Sequence, residues 1–115
     1  TVQELLQQLK NAPETVEFAD VIAVIAAYYH YTPTRFSNGS ILNEAGTNEG
    51  SCKIFAFAQL QGLDVPQTLA CFGRFYREDV LLHPDAKDHA NIRSFMQGGW
   101  AGVQFDAQPL SPLQR

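Results

Sequence analysis

The chain has 115 residues, of which 45% are hydrophobic and 17% charged, as expected for one soluble globular domain with its own core. The formal net charge is −4 and the eight basic residues are scattered, which makes nucleic acid an unexpected partner, because phosphate binding needs concentrated positive charge. The longest apolar run, from Val21 to Tyr29, is far shorter than the ~20 residues of a membrane span. The start of the sequence lacks the pattern of a signal peptide.

The first two predicted elements are helices. Apolar residues at helical spacing favour an amphipathic helix over residues 2–10, which Asn11-Ala12-Pro13 would end. Thr15 is the expected N-cap of a second helix with a broad apolar face, ending before Thr32-Pro33. The sequence therefore opens with two helices that share one core.

A small β element and the most apolar helix come next. Asn38-Gly39 within residues 35–42 predicts a β-hairpin, because both residues tolerate positive φ. A polar loop, residues 43–50, leads into a helix over residues 51–61 that Gly62 would cap. This helix is expected to be the centre of the core.

The second half of the sequence predicts two more helices and a strand. Asp64 and Gln67 have the spacing of a capping box for a fourth helix reaching to Val80. Asp88 is the expected cap of a fifth helix, residues 88–97, and residues 101–105 alternate as a strand that pairs with the hairpin. The predicted fold class is a mainly helical α+β single domain, residues 1–115, in which residues 107–115 form a loosely ordered tail.

Cys52 is the sharpest catalytic candidate. It falls at a helix start, where the helix dipole lowers the pKa of a thiol. With His89 as base and Asp106 to orient it, the order of residues is similar to that of the transglutaminase-like core, and the chemistry would be acyl or amide transfer. The alternative is that Cys52 is an inert buried thiol, as we expect for Cys71, and both cysteines are expected to be free.

A polar pocket between the 43–50 loop and the 88–97 helix is the second candidate site. A helix start leaves backbone N–H groups without partners, and polar side chains gather on both sides of it. The ligand-binding candidates are Asn43, Glu44, Asn48, Lys53, Asn91 and Arg93. The alternative is that these groups anchor the loop, with Arg93 paired to a carboxylate such as Glu44.

No metal site and no cofactor are predicted. His83, Asp85, Asp88 and His89 lie within seven residues, but their spacing matches no zinc signature, and turns and caps explain the aspartates. A further interpretation is partner binding through an exposed aromatic patch around Trp100 and Phe105, although a single tryptophan in a small domain is usually part of the core.

Several segments, in this order and spacing, resemble the HopJ type III effector family. They are Asn38-Gly39, 43–46, 50–58, 69–73, Tyr76-Arg77, Asp88-His89, 91–93 and Gly99-Trp100. The resemblance spans nearly the whole chain and implies a bacterial, virulence-associated protein of unestablished biochemical activity.

The leading expectation is thus a type III effector-like binding or interaction module, more likely without enzymatic activity, that meets a host or bacterial protein partner. Its location would be the bacterial cytoplasm, with export into a host cell by type III secretion. One rival is the small thiol enzyme that uses Cys52 and His89. Another is a resident cytoplasmic protein that is not exported, because residues 1–10 are predicted as an ordered helix whereas type III export signals are generally disordered.

Overall fold

The computed structural model describes residues 1–113, which form an α+β domain of helices and short antiparallel strands. The α-helices are α1 (Val2–Asn11), α2 (Phe18–Tyr28), α3 (Glu49–Gln61), α4 (Val65–Ala70) and α5 (Ala90–Gly98). Short 3-10 helices span Pro13–Thr15 and Gly99–Gly102, and a π-helical segment spans Phe75–Val80. The strands are β1 (Tyr29–Tyr31), β2 (Phe36–Asn38), β3 (Ile41–Asn43), β4 (Val103–Phe105) and β5 (Leu110–Pro112). The predicted fold class is confirmed.

Helix α3 is the centre of the core. Its residues from Ile54 to Ala58 are all at least 98% buried, so the helix is covered on every side. A helix that is apolar all round is stable only when other elements surround it. The Phe55 ring packs against four aromatic rings from different elements, those of Phe36, Phe72, Phe95 and Trp100.

The β element forms a three-stranded antiparallel sheet in the order β3-β2-β4. The predicted hairpin of residues 35–42 and the pairing with residues 101–105 are both present. The turn is shifted by one residue from the predicted one: Asn38 pairs with Ile41, so Gly39 and Ser40 occupy the tip, with Gly39 at φ +61°. The Asn38 side chain is therefore free to enter the interior.

Several predicted helix boundaries differ from the structure. Helix α2 ends at Tyr28, so residues 29–31, which the sequence predicts to continue it, form β1, and α3 begins at Glu49, two residues before the predicted start. Helix α2 is preceded by Glu17 as N-cap, while the Thr15 hydroxyl donates to the Ala12 carbonyl in the turn before it. Helix α4 begins with the predicted Asp64 capping box but ends at Ala70, and Gly73 then adopts φ +58°. His89, and not Asp88, occupies the N-cap position of α5, but its side chain does not cap the helix, and the Asp88 carboxylate binds Arg93.

The C-terminal segment is more ordered than the predicted loose tail of residues 107–115. Residues Leu110–Pro112 form β5, which pairs antiparallel with β1. Leu110 is 99% buried, so this strand closes the core beside α3. Residues 114 and 115 lie outside the described residues.

Within residues 1–113, no helix combines the length and the apolar character that crossing a bilayer requires. The sequence likewise has no apolar run of the ~20 residues that a membrane-spanning helix needs.

Gly73 is the position where the fold is least able to accept a side chain. A Cβ at Gly73 would lie 2.7 Å from the backbone nitrogen of Phe18, whereas a Cβ at Gly62 would meet nothing within 4 Å. Both glycines have positive φ, so both alanine variants carry the ~1–2 kcal/mol backbone cost, and only Gly73→Ala adds overpacking of about 1–3 kcal/mol. Urea unfolding should show Gly73→Ala as clearly less stable than Gly62→Ala; equal stabilities would contradict the close approach.

Candidate functional site

Four asparagines from different elements form a hydrogen-bonded group, here called the asparagine cluster: Asn38, Asn43, Asn48 and Asn91. Asn91 Nδ2 donates to Asn43 Oδ1 at 2.9 Å, and Asn43 Nδ2 donates to Asn91 Oδ1 at 3.1 Å, so the two amides bond reciprocally. Asn48 Nδ2 donates to Asn43 Oδ1 at 2.7 Å. The cluster therefore joins the end of β3 to the first turn of α5 and to the start of α3.

Asn38 extends the cluster to β2. Its Nδ2 donates to the Asn91 carbonyl at 2.8 Å and to Asn91 Oδ1 at 3.1 Å. Asn38 and Asn43 are 99% buried and Asn91 is 94% buried. Buried amides cost free energy unless they are hydrogen-bonded, so these bonds largely decide how the hairpin sits on α5. The Oδ1 atom of Asn38 is buried without a hydrogen-bond partner.

The residues that precede α3 and α5 share an unusual backbone conformation. Asn48 has φ 48° and ψ 45°, and His89 has φ 51° and ψ 49°, both in the left-handed region. Neither forms a side-chain cap, so the N–H groups of both first turns lack the partner that a cap would supply. Both side chains are instead directed to other contacts.

A cavity of about 350 Å³ lies between these two helix starts. Gly50 and Ser51 of α3 form one wall, with Asn48 before them, and residues 89–92 form the other. The apolar lining comes from Phe18, Ile41, Phe72 and Phe75. Its position is the one predicted for the polar pocket, and it combines aromatic surface with hydrogen-bonding groups, as small-molecule sites do.

His89 lies at the edge of this cavity and has its own partners. Its Nε2 atom lies 3.0 Å from Asp79 Oδ2, and its ring packs on Phe75 with centroids 5.0 Å apart. These contacts hold the imidazole in one place, with one face toward an aromatic ring and its edge toward a carboxylate.

Three of the six predicted ligand-binding residues come together, namely Asn43, Asn48 and Asn91, while the other three have separate contacts. Glu44 is exposed and lies 3.7 Å from Arg35, so the carboxylate that pairs with Arg93 is that of Asp88 and not that of Glu44. Lys53 Nζ lies 4.7 Å from the centre of the Tyr31 ring.

Arg93 binds the chain just before its own helix. Its guanidinium donates to Asp88 Oδ1 at 2.7 Å and to the carbonyls of Asp88 and His83. This hydrogen bond from Arg93 holds the pKa of the Asp88 carboxyl below its usual range. Arg93 thus anchors residues 83–88 against α5.

The three catalytic candidates have separate surroundings. Cys52 is 99% buried, and its Sγ lies 3.8 Å from the Thr34 carbonyl oxygen. Burial raises the pKa of the Cys52 thiol, which is opposite to the shift expected at a helix start. His89 contacts Asp79, and Asp106 lies 4.0 Å from Arg35. None of these contacts joins the three residues.

Cys71 lies in the core, and Trp100 packs against the core from its edge. Cys71 is fully buried, and burial raises the pKa of its thiol to about 12. The Trp100 ring packs against Phe55 and Phe95, and its Nε1 donates to the Leu63 carbonyl. Phe105 is partly buried against Phe36. Both Trp100 and Phe105 are therefore partly buried by contacts with core rings.

Sequence reasoning missed two parts of the site. Asn38 lies in the predicted hairpin turn, and the phenylalanines of the cavity lining come from separate predicted helices. The contacts of Asn38 with Asn91, and of these phenylalanines with the cavity, join segments that the sequence pattern does not bring together. Asn38 and Asn91 are 53 positions apart.

The arrangement defines a small α+β protein with one mixed polar and aromatic cavity between two helix starts. The chain belongs to the HopJ type III effector protein family, whose model matches residues 2–110. It is also similar to a crystal structure of a protein of unknown function, VPA0580, with a TM-score of 0.97 and 53% sequence identity. That match covers 98% of this chain and 94% of the other. Among curated proteins, none matches this chain.

Asn91→Ala tests the asparagine cluster. The substitution removes both side-chain bonds between Asn43 and Asn91 and the weaker of the two bonds from Asn38, whereas the Asn91 backbone carbonyl still accepts from Asn38. Because the buried Asn43 amide loses two bonds, we expect a loss of about 1–3 kcal/mol in the free energy of unfolding. Asn11→Ala is the matched control, because Asn11 is exposed and should cost no more than about 0.5 kcal/mol. Urea unfolding measures both, and a similar small loss in the two variants would show that the cluster contributes little.

Cys52 should react slowly with an alkylating probe in the native protein. With Cys71→Ser as background, labelling of Cys52 is expected to become fast only on unfolding, because the thiol is buried and its pKa is raised. Mass spectrometry over a range of pH values gives the rate. Fast native labelling that titrates below the free-thiol pKa of ~8.5, and that changes in His89→Asn, would instead support the thiol enzyme.

Proposed function

We propose that this type III effector-like protein is a small binding module, and that its ligand site is the cavity between residues 43–50 and α5. The observation that supports this most directly is the cavity of about 350 Å³, placed between the starts of α3 and α5. Its volume lies within the range of small-molecule sites. Both interpretations of location, an exported effector and a resident cytoplasmic protein, would use the same site.

The chemistry of the lining indicates the kind of ligand. The rings of Phe18 and Phe75 meet edge to face with centroids 5.1 Å apart, and they offer an apolar surface with a corner between the two rings. The Asn48 and Asn91 amides, the Ser51 hydroxyl and the first-turn N–H groups offer hydrogen bonds. A ligand with an aromatic or apolar body and a hydrogen-bond-accepting end, such as a carboxylate, suits this combination.

The site is also held in a fixed shape, as a binding site should be. Asn43 and Asn91 bond reciprocally behind the cavity, and Asn48 bonds to Asn43, so both walls depend on one buried group. Fixing the walls before binding lowers the entropy cost of ordering them in the complex.

The test is binding of small aromatic carboxylates, with benzoate and phenylacetate as probes, followed by amide chemical shifts. In the wild-type protein, the shifts are expected to be largest at residues 48–51 and 89–92. Ala90 is exposed and lines the cavity, so Ala90→Trp should fill it and weaken binding at least about tenfold. Ala26→Trp, at an exposed position of α2 that is not part of the lining, is the control and should bind normally.

Shifts confined to another surface, or equal binding by Ala90→Trp and the wild type, would contradict the proposed site. Failure of every probe to shift residues 48–51 or 89–92 would show that the assumed ligand chemistry is incorrect.

A further inference from the structure

Three side chains at the start of α5 bring metal-ligating atoms together. His89 Nε2 lies 3.0 Å from Asp79 Oδ2 and 3.9 Å from Asp88 Oδ2. The ligand atoms of the three residues all lie within 4.8 Å of one another. One imidazole and two carboxylates are a donor set that divalent transition ions accept.

The spacing of these atoms is close to that of a coordinated ion. Bonds from Zn²⁺ to nitrogen and oxygen are about 2.0–2.2 Å long, so neighbouring ligands stand about 3–3.5 Å apart. The separation of His89 Nε2 from Asp79 Oδ2 is already in this range. The Asp88 carboxylate lies 3.9 Å from His89 and within 4.8 Å of Asp79, so it must move by about 1–2 Å toward the other two ligands. Since Asp79 and Asp88 are about half exposed, small rotations of their side chains can supply this movement.

Arg93 binds Asp88 Oδ1, so Oδ2 is the atom of this carboxylate that faces His89. One Nε2–H group can form one good hydrogen bond, and Asp79 occupies it at 3.0 Å. Asp88 Oδ2 therefore faces the same edge of the imidazole at 3.9 Å, beyond hydrogen-bond distance. It also lies within 4.8 Å of the Asp79 carboxylate. Arg93 offsets part of this charge from the other side of Asp88, and a cation between the carboxylates would offset the rest.

Two of the three ligands are held in place by contacts that do not need an ion. His89 is fixed by its left-handed backbone and by the packing of its ring on Phe75. Arg93 holds the Oδ1 atom of Asp88 and also donates to the carbonyls of residues 83 and 88, while the Oδ2 atom on the His89 side can rotate toward the ion. Ligands that are positioned in advance bind a metal at lower entropy cost.

We propose that Asp79, Asp88 and His89 form a binding site for a divalent transition ion, with Zn²⁺ as the best-fitting ion. On binding, His89 Nε2 gives up its hydrogen bond to Asp79 and coordinates the ion through its lone pair, with the ring proton on Nδ1. The remaining coordination positions would hold water. The inference goes beyond the proposed cavity function and stands without it, since it depends on different atoms.

The experiment is a calorimetric titration of the full chain with Zn²⁺. The wild type is expected to bind one ion. Asp79→Asn and His89→Asn each remove one ligand, and each should weaken that binding at least about tenfold. Asparagine is chosen at position 89 because it tolerates the left-handed conformation. His83→Gln is the control, because His83 is exposed and is not one of the three proposed ligands. This variant should bind Zn²⁺ as the wild type does.

A second measurement needs no variant. Mn²⁺ added to the wild-type protein should broaden the amide resonances of residues 79, 88 and 89 first, because paramagnetic broadening is strongest next to the ion. Broadening centred elsewhere would overturn the proposal. Unchanged Zn²⁺ affinity in folded Asp79→Asn and His89→Asn would also overturn it. So would a wild-type protein that does not bind Zn²⁺ at millimolar concentration.

Discussion

The reciprocal amide pair of Asn43 and Asn91 is the interaction on which the rest of the site depends. It joins a β-hairpin to a helix that lies 48 positions later in the chain, within a region that excludes water. Amides have strict directional requirements, so the hairpin and α5 can meet in few ways that satisfy both groups. Asn38 and Asn48 add one element each to the same group. An apolar contact of the same size would hold these elements together without fixing their orientation as tightly.

The cavity follows from this constraint. Because Asn48 bonds to Asn43 and not to the first turn of α3, it adopts a left-handed conformation and does not cap its own helix. His89 does the same before α5, with its side chain directed to Asp79. Two helix starts that lack side-chain caps thus face a shared space. Each missing cap costs stability, in the range of about 0.5–2 kcal/mol, and such local costs are characteristic of functional regions.

The polar chemistry of the molecule is gathered around α5, whereas the thiols are in the core. Cys52 and Cys71 lie among apolar side chains, where burial raises both thiol pKa values. His89, Asp79 and Asp88 lie at the surface beside the cavity and have opposing charges within reach. The exposed polar groups therefore gather where two residues have left-handed backbone conformations, and the cysteines contribute to packing.

Part of the local structure follows from the sequence. Helical periodicity predicts α1, the apolar run before Gly62 predicts α3, and the Asp64–Gln67 capping box predicts the start of α4. These signals are carried by neighbouring residues, and local propensity is sufficient to read them. The inward direction of Asn38, the contact of Asp79 with His89 and the burial of Cys52 away from both are seen only in the folded protein, because each depends on contacts between separate segments. For Asn38, the free energy of burying an amide with its partners outweighs the local preference for a turn.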